Sequence, residues 1–268
     1  MKAYCDMIDM KQIIVLVFLM IFSLGNILGK NPIRLKVMTY NLRFGELATL
    51  KELADFISEQ NPDVVALQEL DCMTKRKRTP HQHDKNFVTE LGYYTKMFPL
   101  YGKTISYAGG LYGVGLLTKY PYCNVYKIML PKQEKQHEAR ALLMAEVELS
   151  TGDTIIVAST HLDYNSSVSR IKQLEVITRI LEKQPYPVVL GGDFNAKPDS
   201  KEINLSFKDW CQLSRNDVLT SPAQRPRSKI DYLFGYPKES WNLITSKTVN
   251  VLMSDHLPII SEIELFIN

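Results

Sequence analysis

Residues 187–195 read PVVLGGDFN: a proline, a short apolar run, two glycines, then Asp193 and Asn195 around Phe194. An uncharged run this short reads as a strand buried on both faces, and the Gly and Asx residues after it as the turn that ends it. The same sentence structure recurs in both directions along the chain. Asn41 follows VMTY, Gln68 and Glu69 follow DVVAL, His161 and Asp163 flank the end of TIIVAST, Asp231 follows SKI, and Asp255-His256 precedes LPII. The runs at 33–40, 63–68, 113–117, 124–130, 141–149, 154–160, 187–190, 230–234, 241–245 and 259–267 are of strand length. Those at 124–160 are joined by hairpin-length connections, which predicts antiparallel or mixed pairing. Two stretches have helical spacing. Leu47, Leu50, Leu53, Ala54 and Ile57 lead to a stop at Asn61-Pro62, and Val168, Ile171, Leu174, Ile177 and Leu181 follow a cap at Ser166 or Ser167. Many strands with only two long helices predict one layered α/β domain of stacked sheets with helices outside.

Strand ends gather at one edge of a sheet, so the polar residues that close these runs can share a cleft. Each fragment alone also fits a turn, a cap, a solvated strand end or a structural histidine. Their number and order carry the reading.

Composition narrows the class. The chain has 268 residues, 45% hydrophobic and 23% charged, with 32 Lys+Arg against 29 Asp+Glu for a net +3. These ordinary globular values exclude a disordered or collagen-like chain, and so mild a charge makes no case for a dedicated nucleic-acid coat. Ile13 to Leu24 is an uncharged run of twelve, preceded by Lys11 and followed by Gly25 and Gly29. That pattern predicts a secretory signal over residues 1–29, with export to the periplasm or the extracellular space. The run is too short for a membrane span, so no stable span is expected after its removal. The mature domain, 30–268, keeps Cys72, Cys123 and Cys211, too few for a disulfide framework and without the neighbours of a zinc site.

Taken in order, TYNLR (39–43), ALQELD (66–71), GGLYGVGLLTKYP (109–121), STHLD (159–163), GGDFNAKPDS (191–200), KIDYLF (229–234) and SDHLP (254–258) resemble the endonuclease/exonuclease/phosphatase superfamily. These are the deoxyribonuclease I-like metal-dependent phosphoesterases. The motifs span about residues 34–267. The resemblance implies a four-layer α/β sandwich, two packed mixed β-sheets flanked by helices. It also implies hydrolysis of a phosphoester.

A phosphodiester is anionic and repels hydroxide, so its hydrolysis needs a cation, a positioned water and donors for the growing charge. Matched residue by residue, the resemblance gives the metal to Glu69, Asn41 and Asp255, whose hard oxygens suit Mg²⁺ or Mn²⁺. Asp193 orients or deprotonates the water, and Asn195 donates to a phosphoryl oxygen. His161 and His256 donate to the phosphate or act as acid or base, and Asp231 holds the tautomer of His256. Tyr40, Gln68 and Asp163 stand around these groups. Arg140 reads equally as a cleft-rim residue or a surface charge, and Tyr112 as a pocket wall or a core residue. Lys75–Arg78 reads as a solvated loop near enough to Glu69 to reach an anion. His81 and His83 have no third ligand and are not read as a metal site.

Within the superfamily, the Trp-Cys-Asp-Arg run of inositol 5-phosphatases is absent at Ser228–Tyr232, and Leu111 stands where apurinic endonucleases commonly carry Tyr. The expectation is therefore an exported Mg²⁺-dependent phosphoester hydrolase, cleaving diesters ahead of monoesters. Its substrate is a small molecule, a lipid headgroup or a nucleic acid, and no obligate protein partner is inferred. The rivals are an extracellular nuclease and a catalytically silent binding module. The intact Glu69, Asp193, Asn195, Asp255 and histidines argue against the silent module.

Overall fold

Strand β1 (Ile33–Asn41) shows how the chain sorts its side chains. Leu35 and Val37 point one way, Met38 and Tyr40 the other, and all four are buried. A strand with two apolar faces must lie between two layers. In the computed structural model, which describes residues 31–133 and 138–267, β1 lies at the centre of a sheet. The signal segment expected over residues 1–29 lies outside these residues.

The other strands are β2 (Val64–Cys72), β3 (Phe98–Tyr107), β4 (Gly110–Thr118), β5 (Tyr122–Met129), β6 (Ala141–Glu148), β7 (Thr154–His161), β8 (Val188–Asp193), β9 (Cys211–Gln212), β10 (Asp231–Tyr236), β11 (Trp241–Thr248) and β12 (Ile259–Leu265). The helices are α1 (Leu50–Gln60), α2 (Phe87–Thr95), α3 (Ser167–Leu181) and α4 (Lys201–Ser206). One six-stranded sheet runs β11-β12-β1-β2-β4-β3 and the other β5-β6-β7-β8-β10-β9. Each is mixed, with β1/β2 and β7/β8 parallel and their other pairs antiparallel.

The sheets pack face to face. Leu35, Val37, Val64, Ala66, Val114 and Leu116 of the first meet Leu143, Ala145, Val157, Val189 and Leu233 of the second in one core. The outer face of the first sheet, with Met38, Tyr40, Val65 and Leu67, is covered by α1 and α2. The outer face of the second is covered by Leu174, Ile177 and Leu181 of α3. The four-layer sandwich expected from the resemblance is the observed fold.

Helix α1 begins at Leu50 because Thr49 and Glu52 form a reciprocal capping box, and it ends at left-handed Asn61 before Pro62. Leu47, assigned to the helical pattern in the sequence, lies outside it and is exposed. Ser166 caps α3 by accepting from the Ser169 N–H. The buried face of α3 includes Ser169 and Gln173, whereas Val168 is exposed. Helices α2 and α4 and strands β3 and β9 were not expected. Among the described residues no helix is long and apolar enough to cross a membrane.

Candidate active site

The parallel pairs deliver the site. Asn41, the last residue of β1, pairs with Gln68 in the middle of β2, and His161 and Asp193 are partners at the ends of β7 and β8. Asp231, the first residue of β10, stands opposite Asp193 on the other side. The two sheets approach closely here because Gly191 has no side chain: a Cβ would lie 2.7 Å from that of Ala66 and 3.3 Å from that of Thr39. The strand ends of both sheets thus meet at one edge of the sandwich.

Local backbone then aims the side chains. In β2 the register against β4 shifts between Leu67 and Leu70, and Glu69 sits in the left-handed region at φ 58°. Such a bulge turns one residue out of the ladder. Asn195 also has positive φ, 50°, which Asn tolerates better than most residues. Arg43 and Phe44, just after β1, share this conformation. Strained backbone concentrated at one place is a mark of a working site.

Asn41 bridges the carboxylates of the two sheets, donating from Nδ2 at 3.0 Å to both Glu69 Oε1 and Asp193 Oδ2. Asp193 Oδ1 accepts from the Asn195 N–H at 2.9 Å. One amide hydrogen of Asn195 goes to the Leu162 carbonyl at 3.1 Å, and the second remains for another acceptor. Asp231 accepts from His256 Nδ1 at 2.9 and 3.2 Å, and His256 Nε2 lies 3.8 Å from Asp193. The carboxylate–imidazole pair expected from the sequence is present. His161 Nε2 lies 3.5 Å from the same oxygen of Asp193.

Electrostatics separates the two histidines. Burial works against a charge on His256, but the carboxylates of Asp231 and Asp193 win and lift it to about 10. His161 is held well below the usual imidazole range by burial and by the charges of Arg140 and His256, so it is neutral. Burial, with Asp231 beside it, raises Asp193 to about 7, against the pull of His256, the Asn195 N–H and Asn41. Burial likewise raises Glu69, opposed by the Asn41 amide and by His256.

The remaining predicted residues fall around this centre. Gln68 is buried between Thr39 and Ser159 and links the sheets behind the site. Asp163 is buried, accepts from the Asn165 N–H, and has one oxygen without a partner. Asp255 carries an ion pair with Arg43 at 2.6 Å and is partly exposed. Among the described residues, the His, Cys, Asp and Glu groups whose ligand atoms lie within 4.8 Å of one another are Asp193, Asp231 and His256. The Asp231–His256 hydrogen bond explains much of that proximity. A divalent cation fits Glu69, Asn41 and Asp255 by donor chemistry: Glu69 is a half-buried carboxylate whose carboxyl is raised by desolvation, and Asn41 and Asp255 carry further hard oxygens, that of Asn41 accepting from the Arg43 N–H.

A cleft of about 300 Å³ opens over this centre, lined by Glu69, His161, Asp193, Asn195 and His256. It is also lined by Phe44, Arg76, Ile105, Tyr107, Tyr112, Glu138, Arg140 and Tyr164. Arg140 is 3% exposed, so it is a cleft residue and not a surface charge. It pairs with Glu138 at 2.9 Å, and its Nε is buried without a partner. Burial raises the Glu138 carboxyl, and Arg140 pulls it back. Tyr112 is both core and wall, buried and facing the cleft.

In the 75–78 run Lys75, Lys77 and Arg78 are exposed, as the solvated-loop reading expects, and Arg76 is the exception. Arg76 is inserted beneath the loop, where Nε and Nη2 each donate at 2.9 Å to fully buried Asp71. Arg78 does lie at the surface, paired with Glu46. His81 and His83 bond to the carbonyls of Gly45 and Arg76. Phe44, Ile105, Tyr107, Glu138 and Tyr164 were missed. Only Glu138, two residues before Arg140, carried a signal in the sequence.

The sequence profile described as the Endonuclease/Exonuclease/phosphatase family matches residues 38–256. No curated protein sequence matches the chain. Among solved structures, a family protein from Bacteroides thetaiotaomicron is similar at TM-score 0.72 and 14% identity, covering 88% of this chain and 100% of that one. An endonuclease/exonuclease/phosphatase from Beutenbergia cavernae DSM 12333 is similar at TM-score 0.70 and 18% identity, covering 87% and 72%. A mannosyl-6-phosphatase from Bacteroides thetaiotaomicron VPI-5482 is similar at TM-score 0.68 and 14% identity, covering 85% and 99%. The profile match over most of the sequence and the shared fold agree: the chain belongs to the endonuclease/exonuclease/phosphatase family, whose members are hydrolases of phosphoester bonds and typically depend on a divalent metal.

Proposed function

We propose that this protein is an exported, Mg²⁺- or Mn²⁺-dependent phosphoester hydrolase that cleaves phosphodiesters ahead of phosphomonoesters. The observation that carries the reading is the chain of contacts Asp231–His256–Asp193–Asn41–Glu69 across both sheets at the floor of the cleft. Export rests on the charge-flanked apolar run at residues 13–24.

The chemistry follows from the protonation states. A base near neutrality is the most useful one at physiological pH, and Asp193 is raised to about 7. Asp193 takes a proton from water as the water oxygen bonds to phosphorus and the ester oxygen departs on the opposite side. His256 stays cationic because Asp231 holds it, so its Nε2–H is a permanent donor for phosphoryl charge. Neutral His161 is a second donor or acceptor beside it. The free amide hydrogen of Asn195 and the unpartnered Nε–H of Arg140 are donors for phosphoryl oxygens. Glu69, Asn41 and Asp255 would hold the metal, which supplies charge neutralisation on the phosphoryl group.

The test is hydrolysis of bis(p-nitrophenyl) phosphate by the purified protein with Mg²⁺ and with EDTA. Asp193→Asn keeps the shape and removes the base. It should lower kcat by roughly 10²–10⁴-fold with little change in KM. A near-normal kcat removes Asp193 from the mechanism, and undiminished activity in EDTA removes the metal.

A further inference from the structure

The part of the cleft lining around Arg76 and Glu138 forms a wall with its own design. Arg76 lies 3.9 Å from the ring centroid of Phe44 and 4.3 Å from that of Tyr107, with Tyr112 at 5.4 Å. Both of its bonds to Asp71 are made inside the wall. Its charge is therefore cancelled by a buried carboxylate, and it serves to stiffen an aromatic surface. Besides the two arginines, the charged side chain in this wall is Glu138. Its side chain is a quarter exposed, and it takes up one nitrogen of Arg140.

We propose that this compartment holds the leaving group of the phosphoester, and that this group is a small, uncharged polyol such as a sugar or glycerol unit, selected by Glu138. The inference rests on the phosphoester reading and names its substrate class. An ionised carboxylate only accepts hydrogen bonds, so it pairs with hydroxyl groups and repels a second phosphate. The nearest cation, Arg140, is already shared with Glu138. Tyr164 and the parts of the Phe44, Tyr107 and Tyr112 rings that Arg76 does not cover offer apolar surface to the C–H side of a polyol. The whole cleft, reaction centre included, holds about 300 Å³, at the small end for ligand pockets, which leaves room for no more than one such unit beside the phosphate.

The experiment compares matched substrates that differ by one phosphate, with Mg²⁺ present. The pairs are glucose 6-phosphate against glucose 1,6-bisphosphate, and glycerophosphoglycerol against the same diester phosphorylated at its terminal hydroxyl. For the wild type, kcat/KM should favour the uncharged leaving group by about tenfold or more. Glu138→Gln keeps the shape and should shrink that ratio by about tenfold. A Glu138 that only props Arg140 would lower both members of a pair together and leave the ratio unchanged, which overturns the proposal. A wild type that prefers the doubly phosphorylated member overturns it without any variant. Failure to hydrolyse any of these or bis(p-nitrophenyl) phosphate is a different result, which removes the phosphoesterase reading itself.

Discussion

Replacing Lys229 by methionine should flatten the dependence of stability on pH above neutrality. Lys229 is 1% exposed, donates from Nζ to Ser214 Oγ at 3.0 Å and lies over the Tyr232 ring. Burial lowers its ammonium from 10.5 to about 7, although Asp231 and Asp217 pull the other way. The sign follows from proton counts. Between pH 7 and 10.5 the unfolded chain binds a proton at this lysine that the folded chain does not, so stability rises with pH in that window. The penalty for folding is about 4 kcal/mol at pH 7 and about 2 kcal/mol at pH 9, a gain of about 2 kcal/mol. For a domain of this size that is roughly 4–8 °C in Tm. Methionine keeps the apolar stem and cannot titrate, at the cost of one hydrogen bond worth about 1 kcal/mol. Urea unfolding of wild type and Lys229→Met at pH 7, 8 and 9 reads the difference directly. Parallel pH profiles for the two proteins would refute the reasoning.

Asp231→Asn should lower the titration of His256 from about 10 toward or below the ordinary imidazole value, because burial is then opposed by Asp193 alone among the two nearest carboxylates. The stability that the imidazolium contributes is complete below the unfolded value and lost as pH rises through about 10. NMR titration of His256 in EDTA buffer should therefore show the variant neutral at pH 9, and an unmoved titration would exclude Asp231 as its holder. Asp71→Asn should cost roughly 3–5 kcal/mol in urea unfolding, since it leaves the Arg76 guanidinium buried without its counter-charge. A loss below about 1 kcal/mol would show that the surrounding rings, not Asp71, hold Arg76.

What could be read from the chain alone was whatever is written locally. A run such as PVVLGGDFN states a buried strand and its polar end in nine consecutive residues, and the same holds for Asn41, Glu69, His161, Asp231 and His256. Their order supplied the resemblance, and with it the sandwich and the Asp231–His256 pair. Strand β3 escaped because Pro99 and Gly102 interrupt its pattern, and it is an edge strand, where proline is tolerated. Helix α2 escaped because Tyr93 and Tyr94 are exposed, so its apolar residues do not mark one face. The wall of the cleft was invisible for a deeper reason. Arg76 looks like any residue of a basic loop until Asp71 and rings from Phe44, Tyr107 and Tyr112 are brought around it. Burial of a charge depends on partners distant in sequence, and only the tertiary structure assembles them.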